Sequence, residues 1–272
     1  MKKLILTSAL ALLACTAVQA QTKWTATWAT AIEAPLAESD MPKTTLAGNT
    51  LRQVIHVSIG GEKLRLQLSN EKSQQPVEIK SVYIADTGGD KEISPKTATY
   101  LTFNGNRSVT IEPGKAVYTD VAKYGLKPLQ RLSVTITYGQ VPEKATTHRG
   151  SRTTSYLAAG EVAPTAAFSP VETFEHWYSI AALEVEAPAS TRCIACLGNS
   201  ITDGGHYHSY IWLYYMTRFP EARMQMFNCG IGGDTSLEIL RRIDHDVFAK
   251  RPTVLTLTFG MNDSGYFEYN GD

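Results

Sequence analysis

Three apolar runs in the second half of the chain each lead directly into a short polar block that begins with glycine. The runs and the blocks after them are 193–197 with GNSIT at 198–202, 224–229 with GIGGDT at 230–235, and 253–259 with GMND at 260–263. Two amphipathic segments separate the runs, as the crossover helices of a parallel sheet would. Because the carboxyl ends of parallel strands share one edge of a sheet, ligands bind there. The pattern therefore predicts an open parallel α/β sheet with its site at that edge.

The two amphipathic segments are predicted to be helices over 207–219, ending before Pro220, and over 236–248. In the second helix, the apolar positions at near-helical spacing are expected to face the sheet. These positions are Leu237, Leu240, Ile243 and Val247. The opposite face is expected to be charged and solvated, with Glu238, Arg241, Arg242 and Asp244.

The first half of the chain has a different pattern, with short alternating segments broken by glycine, proline, asparagine and aspartate. Leucines at 64, 66 and 68 alternate with polar residues, and apolar residues alternate in the same way over 132–138. Each alternation predicts a strand with one buried face and one solvated face. A change of apolar phase within 77–84 predicts a β-bulge near residue 80. The expected packing is a jelly-roll-like β-sandwich.

The chain of 272 residues is predicted to comprise an export signal and two domains. Lys2 and Lys3 precede an apolar stretch and a small-residue cleavage site, which predicts a signal peptide over 1–20. The β-sandwich is assigned to 21–187 and the α/β domain to 188–272. A short connector rich in alanine and proline joins them.

The export signal predicts a secreted or periplasmic protein. The sequence LLAC at 12–15 also resembles a lipoprotein cleavage box, so a lipid anchor on Cys15 is the alternative. No second apolar run is long enough to span a bilayer, so the mature chain is predicted to lack a transmembrane span. Acidic and basic residues balance to a net charge of zero, which gives no support to nucleic-acid binding.

Three cysteines, at 193, 196 and 229, remain after the predicted signal is removed. Residues three apart on a strand point to opposite faces of the sheet. Cys193 and Cys196 therefore cannot bridge each other or share a metal ion. All three are expected to be buried thiols, and no metal site is predicted.

The three blocks contain the groups that ester hydrolysis needs. Ser200 lies on a tight turn between a strand and a helix, which exposes its hydroxyl and places its backbone N–H at a positive helix end. The Gly233 N–H and the Asn262 side chain are candidate donors to an oxyanion. Taken singly, each block is also typical of a capping serine, a glycine-rich loop or a turn asparagine. A phosphate-binding loop at 230–235 is a further alternative, although the Lys-Ser/Thr ending of a P-loop is absent.

In this order, the three blocks resemble the SGNH, or GDSL, hydrolase superfamily, and residues 227–263 look most like its esterase and acetylhydrolase branch. The resemblance implies a flavodoxin-like, three-layer α/β/α domain that works without cofactor or metal. It implies that Ser200 is the nucleophile and an oxyanion donor, with the Gly233 N–H and the Asn262 side chain as the other donors. Asn199 stands where the family has an aspartate that is not part of the triad.

The β-rich half also resembles a known accessory domain. TLRQV at 50–54, the glycine pair at 60–61 and LQLSN at 66–70 are similar to the amino-terminal β-domain of some secreted bacterial members. Aromatic residues at 24, 28 and 174–178 are candidates for stacking on sugars, although aromatics in a sandwich more often belong to the core.

The catalytic base of the family is a histidine three residues after an aspartate, downstream of the asparagine block. Ten residues follow Asn262, so the chain is expected to be truncated before this motif and to be a poor catalyst. Asp203 and His206 match the spacing, but a histidine six residues along a helix would lie about 9 Å up its axis. We therefore interpret that match as coincidental, and no base is assigned within the chain.

The other histidines are not predicted to act as the base either. His208 and His245 are expected on helix surfaces, with His206 or His208 as candidates to line the substrate cleft. His148 and His176 are assigned to the β-rich half.

The expected function of the parent protein is that of a secreted serine esterase. It would remove small acyl groups, such as acetyl, from carbohydrate or other esters through an acyl-enzyme. The expected partner is an ester substrate such as an acetylated glycan. The alternative is a carbohydrate-binding or cell-surface protein in which the hydrolase segment is inert.

Overall fold

The structure, a computed structural model, describes residues 21–88 and 90–270; the side chains of residue 220 and of 266–270 are not described. The predicted signal peptide and Cys15 lie outside the described residues. The described chain has an amino-terminal part built from antiparallel sheets, which we call the β-rich part, and a carboxyl-terminal part built on a parallel sheet.

The β-rich part extends from residue 22 to residue 188. Its strands are β1 (Thr22–Ala29), β2 (Thr50–His56), β3 (Gly61–Ser69), β4 (Val77–Asp86), β5 (Thr99–Leu101), β6 (Val109–Ile111), β7 (Ala116–Tyr118), β8 (Ala122–Leu126), β9 (Arg131–Tyr138), β10 (Thr147–Arg149), β11 (Ser155–Ala158), β12 (Pro170–Phe174), β13 (His176–Tyr178) and β14 (Ile180–Pro188). Short 3-10 turns occur at Glu38–Asp40 and Pro95–Thr97.

These strands form two large sheets and one small one. The first has the order β1-β14-β3-β7, with β8 also on β3, and the second has the order β12-β11-β2-β9-β4-β5, with β6 also on β4. Strands β10 and β13 form a separate pair. The first and last strands of this part, β1 and β14, lie side by side.

Apolar side chains of the two large sheets pack into one core. The leucines at 64, 66 and 68 of β3 are fully buried, as their alternation predicts. The predicted bulge is also present, since the pairing of β4 with β9 changes register between Ile79 and Ser81.

The prediction of a solvated face on β9 is wrong. Ser133, Thr135 and Thr137 are as deeply buried as the apolar residues between them. The guanidinium of Arg52 covers this face, with Nε donating to Thr135 Oγ1 at 3.0 Å and the Phe168 ring stacked 4.0 Å from its carbon. A loop after β11 therefore gives this sheet a second cover, which alternation alone does not reveal.

The carboxyl-terminal part contains the three predicted strands in a parallel sheet of order β16-β15-β17. Its elements are β15 (Arg192–Gly198), α1 (Ser200–Asp203), α2 (His206–Arg218), β16 (Met224–Gly230), α3 (Ser236–Asp246), β17 (Val254–Thr258) and α4 (Met261–Asn270), with 3-10 turns at Pro220–Ala222 and Phe248–Lys250. The two predicted helices correspond to α2 and α3, although α3 ends two residues early. None of the described helices is long and apolar enough to cross a membrane.

The predicted inner face of α3 is correct for Ile243 and Val247, which pack in the core of the parallel sheet, and wrong for the two leucines. Leu237 and Leu240 are 51% and 69% exposed, whereas Ile239 and Arg242 are buried. The sequence pattern predicts Arg242 on the charged, solvated face. The helix turns this arginine inward because buried carboxylates and carbonyl oxygens accept all of its hydrogen bonds, as described below.

The three cysteines of β15 and β16 are unpaired and buried, as predicted. Burial raises the pKa of Cys193 to about 12, so its thiol stays protonated.

The two parts share a core. Small side chains of the first sheet, including Ala26 and Ala182, pack against Ala195, Leu197 and Phe227 of the parallel sheet. Beside them, Thr25 Oγ1 donates to Gln225 Oε1 at 2.7 Å. The β-rich part therefore packs directly on the sheet that carries the three blocks.

Candidate active site

Ser200 is the first residue of α1 and is separated from the central strand β15 by Asn199 alone. The Asn199 side chain caps the helix, since its Oδ1 accepts the Ile201 N–H at 3.1 Å. Ser200 is exposed, and its hydroxyl hydrogen-bonds to no residue in the described ranges. The turn therefore presents an unengaged hydroxyl, which a nucleophile requires.

The turn is tight enough to require glycine on both sides. A Cβ at Gly198 would lie 2.2 Å from Thr202 Oγ1 and 2.6 Å from the Thr258 carbonyl oxygen. A Cβ at Gly230 would lie 2.1 Å from the Asp203 backbone nitrogen. The first two blocks therefore approach each other through bare backbone.

The second block runs alongside Ser200. The Ile231 N–H donates to the Gly198 carbonyl at 3.1 Å. A Cβ at Gly232 would lie 3.9 Å from Ser200 Cβ. Gly233 follows with φ of +92°, a left-handed conformation that favours glycine. The predicted N–H donor thus lies in a loop that runs beside the serine turn.

The third block is joined to the second. Asn262 Nδ2 donates to the Asp234 carbonyl oxygen at 2.8 Å, which leaves its other N–H for a ligand. The Asp263 carboxylate accepts the Ser236 N–H at 2.9 Å. The structure therefore brings the blocks of all three predicted residues to one end of the parallel sheet. The catalytic roles of Ser200, Gly233 and Asn262 remain predictions.

The buried Arg242 of α3 fixes the first two blocks to each other. Its Nε donates to the Asp234 carboxylate at 2.6 Å, and Nη2 donates to the Gly198 carbonyl at 3.0 Å. Its Nη1 donates to the Cys229 carbonyl at 2.8 Å and to the Asp246 carboxylate at 3.0 Å. Because the guanidinium is planar and rigid, these four contacts set the relative positions of the strand ends.

The carboxylates bound to Arg242 differ in their titration. Burial raises the pKa of Asp234 and outweighs the opposing charge of Arg242. Burial also disfavours the charged form of Asp246, but hydrogen bonds from His245 and Arg242 outweigh it and lower the pKa. Hydrogen bonds to Asp246 and Glu71 raise the pKa of His245 to about 9. His245 is therefore cationic at neutral pH, and its Nε2 contacts Glu71 of the β-rich part at 2.7 Å.

Asp203, the last residue of α1, also contacts the β-rich part. Its Oδ1 lies 3.1 Å from Nε2 of His148 in β10, and Nδ1 of this histidine lies 2.9 Å from the Ala31 carbonyl. Arg152 Nη2 approaches the other carboxylate oxygen at 3.5 Å. Both Asp203 and His148 are buried. A residue 55 positions earlier in the sequence thus contacts the turn that carries Ser200.

Asp203 and His206, which match the family spacing, do not pair. Gly205, with φ of +77°, separates α1 from α2, and His206 is exposed at the start of α2. No histidine of the described residues hydrogen-bonds to the Ser200 hydroxyl. The structure therefore gives no support to His206 as the base.

The placement of His208 on a helix surface is wrong. It lies on the inner face of α2 with Trp212 and Met216 and is only 4% exposed. Burial lowers its pKa. His245, by contrast, is part-exposed, and His148 and His176 lie in strands of the β-rich part, as predicted.

The aromatic residues considered for sugar stacking pack mainly within the protein. Trp28 is buried and contacts Trp177 edge to face at 5.0 Å, and Tyr178 is fully buried. Trp24 packs against the Arg65 guanidinium at 4.7 Å. Within residues 21–88 and 90–270, no group of three or more His, Cys, Asp or Glu side chains is placed to bind a metal ion.

Residues 196–270 match the model of the GDSL-like lipase/acylhydrolase family. This match identifies the segment that carries all three blocks as SGNH/GDSL hydrolase sequence. No curated protein matches the chain.

Several solved structures match parts of the chain. A gut microbial diltiazem-metabolizing enzyme, BT4096, is 64% identical over 30% of this chain and 19% of its own, with a TM-score of 0.28. An acetylxylan esterase from Geobacillus stearothermophilus is 26% identical over 30% of this chain and 43% of its own, with a TM-score of 0.28. A family two carbohydrate esterase from Cellvibrio japonicus is 12% identical over 92% of this chain and 73% of its own, with a TM-score of 0.23. The chain spans less than half the length of the first two.

Proposed function

We propose that this chain belongs to a secreted serine esterase that removes small acyl groups, such as acetyl, from carbohydrate. The observation that carries the proposal is the meeting of the three blocks. Gly232 lies beside Ser200, and Asn262 hydrogen-bonds to the same loop. The choice of an acetyl group and a carbohydrate follows from the resemblance of residues 227–263 to the esterase and acetylhydrolase branch.

In the proposed reaction, Ser200 Oγ attacks the ester carbonyl carbon and gives its proton to a base. The carbonyl oxygen becomes an oxyanion that accepts N–H groups from Ser200, Gly233 and Asn262. The carbon–oxygen bond to the alcohol then breaks, and the alcohol leaves with the proton. Water attacks the acyl-enzyme in the same way and releases the acid. The base is the histidine that the family resemblance implies.

The proposal extends to the architecture and the location of the protein. The parallel sheet β16-β15-β17 and its helices fit a three-layer α/β/α domain, and the two packed sheets of the β-rich part fit a jelly-roll-like sandwich. We assign the boundary between them to residues 187 and 188. The sequence of residues 1–20 supports export, with a lipid anchor at Cys15 as the alternative.

Hydrolysis of p-nitrophenyl acetate by the whole protein to which this chain belongs tests the proposal. Ser200→Ala should lower kcat/KM by at least about 1,000-fold, because the acyl-enzyme can no longer form. Ser108→Ala, at an exposed position of the β-rich part, is the matched control and should leave hydrolysis unchanged. Hydrolysis that is indifferent to Ser200 contradicts the proposal. Ser200-dependent hydrolysis by the 272-residue chain itself would show that a residue within it acts as the base.

The alternative is a carbohydrate-binding protein with an inert hydrolase segment. It predicts that residues 21–187, without the rest of the chain, bind glycans. The shared core between Ala26 and Ala182 on one side and Ala195 and Phe227 on the other argues against independent action of the two parts.

A further inference from the structure

A cavity of about 410 Å³ lies between the β-rich part and the carboxyl-terminal part. Its lining includes the loop 150–152 after β10 and residues 203–206, directly after the serine turn. Ser200 itself does not line the cavity. The volume falls within the range of small-molecule sites in proteins. Both parts of the chain therefore build this cavity. It lies beside the three-block site, by which we mean the site formed by residues 198–202, 230–235 and 260–263.

The side chains that line the cavity include more basic groups than acidic ones. Asp203 is the carboxylate of the lining, and it faces Arg152 and His148. Glu33 and Asp40, which lie near Arg149, do not line the cavity. Three further histidines, at 56, 206 and 208, complete the basic groups of the lining.

The hydrogen bonds of His148 determine the net charge of the cluster. Its Nδ1 faces the Ala31 carbonyl, which can only accept, so Nδ1 carries a proton. A hydrogen bond between Nε2 and Asp203 Oδ1 requires a second proton, on one atom or the other. Both placements make the His148–Asp203 pair neutral, as imidazolium with carboxylate or as imidazole with carboxylic acid. The permanently charged Arg152 therefore leaves one net positive charge on the cavity wall.

The Arg152 side chain has donors to spare. Its contact with Asp203, at 3.5 Å, uses one of the five N–H groups, and the side chain is 54% exposed. Its backbone is left-handed, with φ of +55°, which is uncommon for a residue with a side chain and occurs where surroundings impose it. The loop thus holds a guanidinium with open hydrogen-bonding capacity at the cavity.

From this geometry we propose that the cavity binds a carboxylate-bearing ligand of about monosaccharide size, with Arg152 as the group that binds the carboxylate. A guanidinium binds a carboxylate through two parallel N–H bonds, and the surplus charge of the cluster favours an anion over a neutral ligand. The inference goes beyond the proposed function, because binding here requires no ester and no serine nucleophile.

Calorimetric titration of the 272-residue chain with glucuronate and with glucose at low ionic strength tests the inference. The two sugars share the ring and differ in the carboxylate. Glucuronate should bind, and glucose should bind at least about tenfold more weakly. Fluorescence provides a second readout, because Trp28, Trp177 and Trp212 line the cavity.

Variants at Arg152 locate the binding site. Arg152→Gln should weaken glucuronate binding by about tenfold or more and abolish the preference over glucose, whereas Arg152→Lys should retain part of it. Arg218→Gln, at an exposed position outside the cavity, is the matched control and should bind as the wild type does. Thermal melting of each variant confirms that it is folded.

Three results would overturn the inference. They are no binding at glucuronate concentrations up to tens of millimolar, on the order of the weakest affinity that the titration detects, equal binding of the two sugars, or unchanged glucuronate binding by Arg152→Gln. Ser200→Ala should bind glucuronate normally. Because of this, a failure of the esterase proposal and a failure of the binding proposal give different results.

Discussion

The β-rich part and the three-block site each bury an arginine, and the two arginines have different partners. Arg52 donates to Thr135 and Tyr83 and stacks on Phe168, all neutral groups, and burial lowers its pKa. Arg242 instead bridges two carboxylates and two carbonyl oxygens. Arg52 covers one face of a sheet whose other face packs in a large apolar core, whereas Arg242 sets the positions of strand ends.

This difference shows where each region is vulnerable. The stability of the β-rich part is spread over many apolar contacts, so one lost side chain removes a fraction of it. The geometry of the three blocks depends on a few charged groups, and removal of one leaves its partners buried and unpaired.

The largest expected effect is that of Arg242→Ala. It leaves the buried Asp234 without its cation and Asp246 with His245 alone, and we expect the free energy of unfolding to fall by about 3–5 kcal/mol in urea denaturation. Arg241→Ala changes the next residue of the same helix, which is 68% exposed, and should cost less than about 0.5 kcal/mol. Equal losses of unfolding free energy at the two positions would contradict the conclusion that Arg242 holds the buried carboxylates.

Leu66→Ala tests the β-rich part. Leu66 is fully buried in the core, and its truncation should cost about 3 kcal/mol of unfolding free energy by the same measurement. Leu240→Ala, at a 69% exposed position of α3, is the matched control and should cost less than about 0.5 kcal/mol. A large loss at Leu240 would show that the outer face of α3 is covered in solution.

The smallest expected effect concerns the contact of His245 with Glu71, which joins the two regions. Hydrogen bonds to Asp246 and then to Glu71 raise the pKa of His245 in the folded protein, so their stabilisation is complete below the ordinary value of 6.5 and is lost as pH rises through about 9. Because the side chain is 41% exposed, solvent screening reduces the effect to about 1 kcal/mol.

Urea denaturation at pH 6.5 and at pH 9 measures this loss. His245→Gln should lack the component of the pH dependence that the wild type shows in this window. If His245→Gln keeps the pH dependence of the wild type, His245 is not the source of the change in unfolding free energy.

The elements with local signals could be predicted from sequence. The leucines of β3 alternate with period two, and each strand of the parallel sheet ends in a glycine block, so both features were visible within a few residues. The bulge at Ile79 and Ser81 was visible for the same reason, as a change of apolar phase.

Contacts between distant segments could not be predicted in this way. No spacing links His148 to Asp203, since the pair depends on how the β-rich part packs on α1. For Arg242, helical spacing suggested a solvated face. The signal that could have been used is the pair of aspartates at 234 and 246, eight residues before it and four after it, which offer charge partners.

The pairing of β1 with β14 has a consequence for the order of folding. Thr22 of β1 lies opposite Pro188 of β14, so β1 cannot form this pairing during synthesis until more than 150 further residues have been added to the chain. Its complement then emerges immediately ahead of β15. We expect the first sheet of the β-rich part to close late, through a contact of high sequence separation, and the parallel sheet to begin assembly on a surface that has only just been completed.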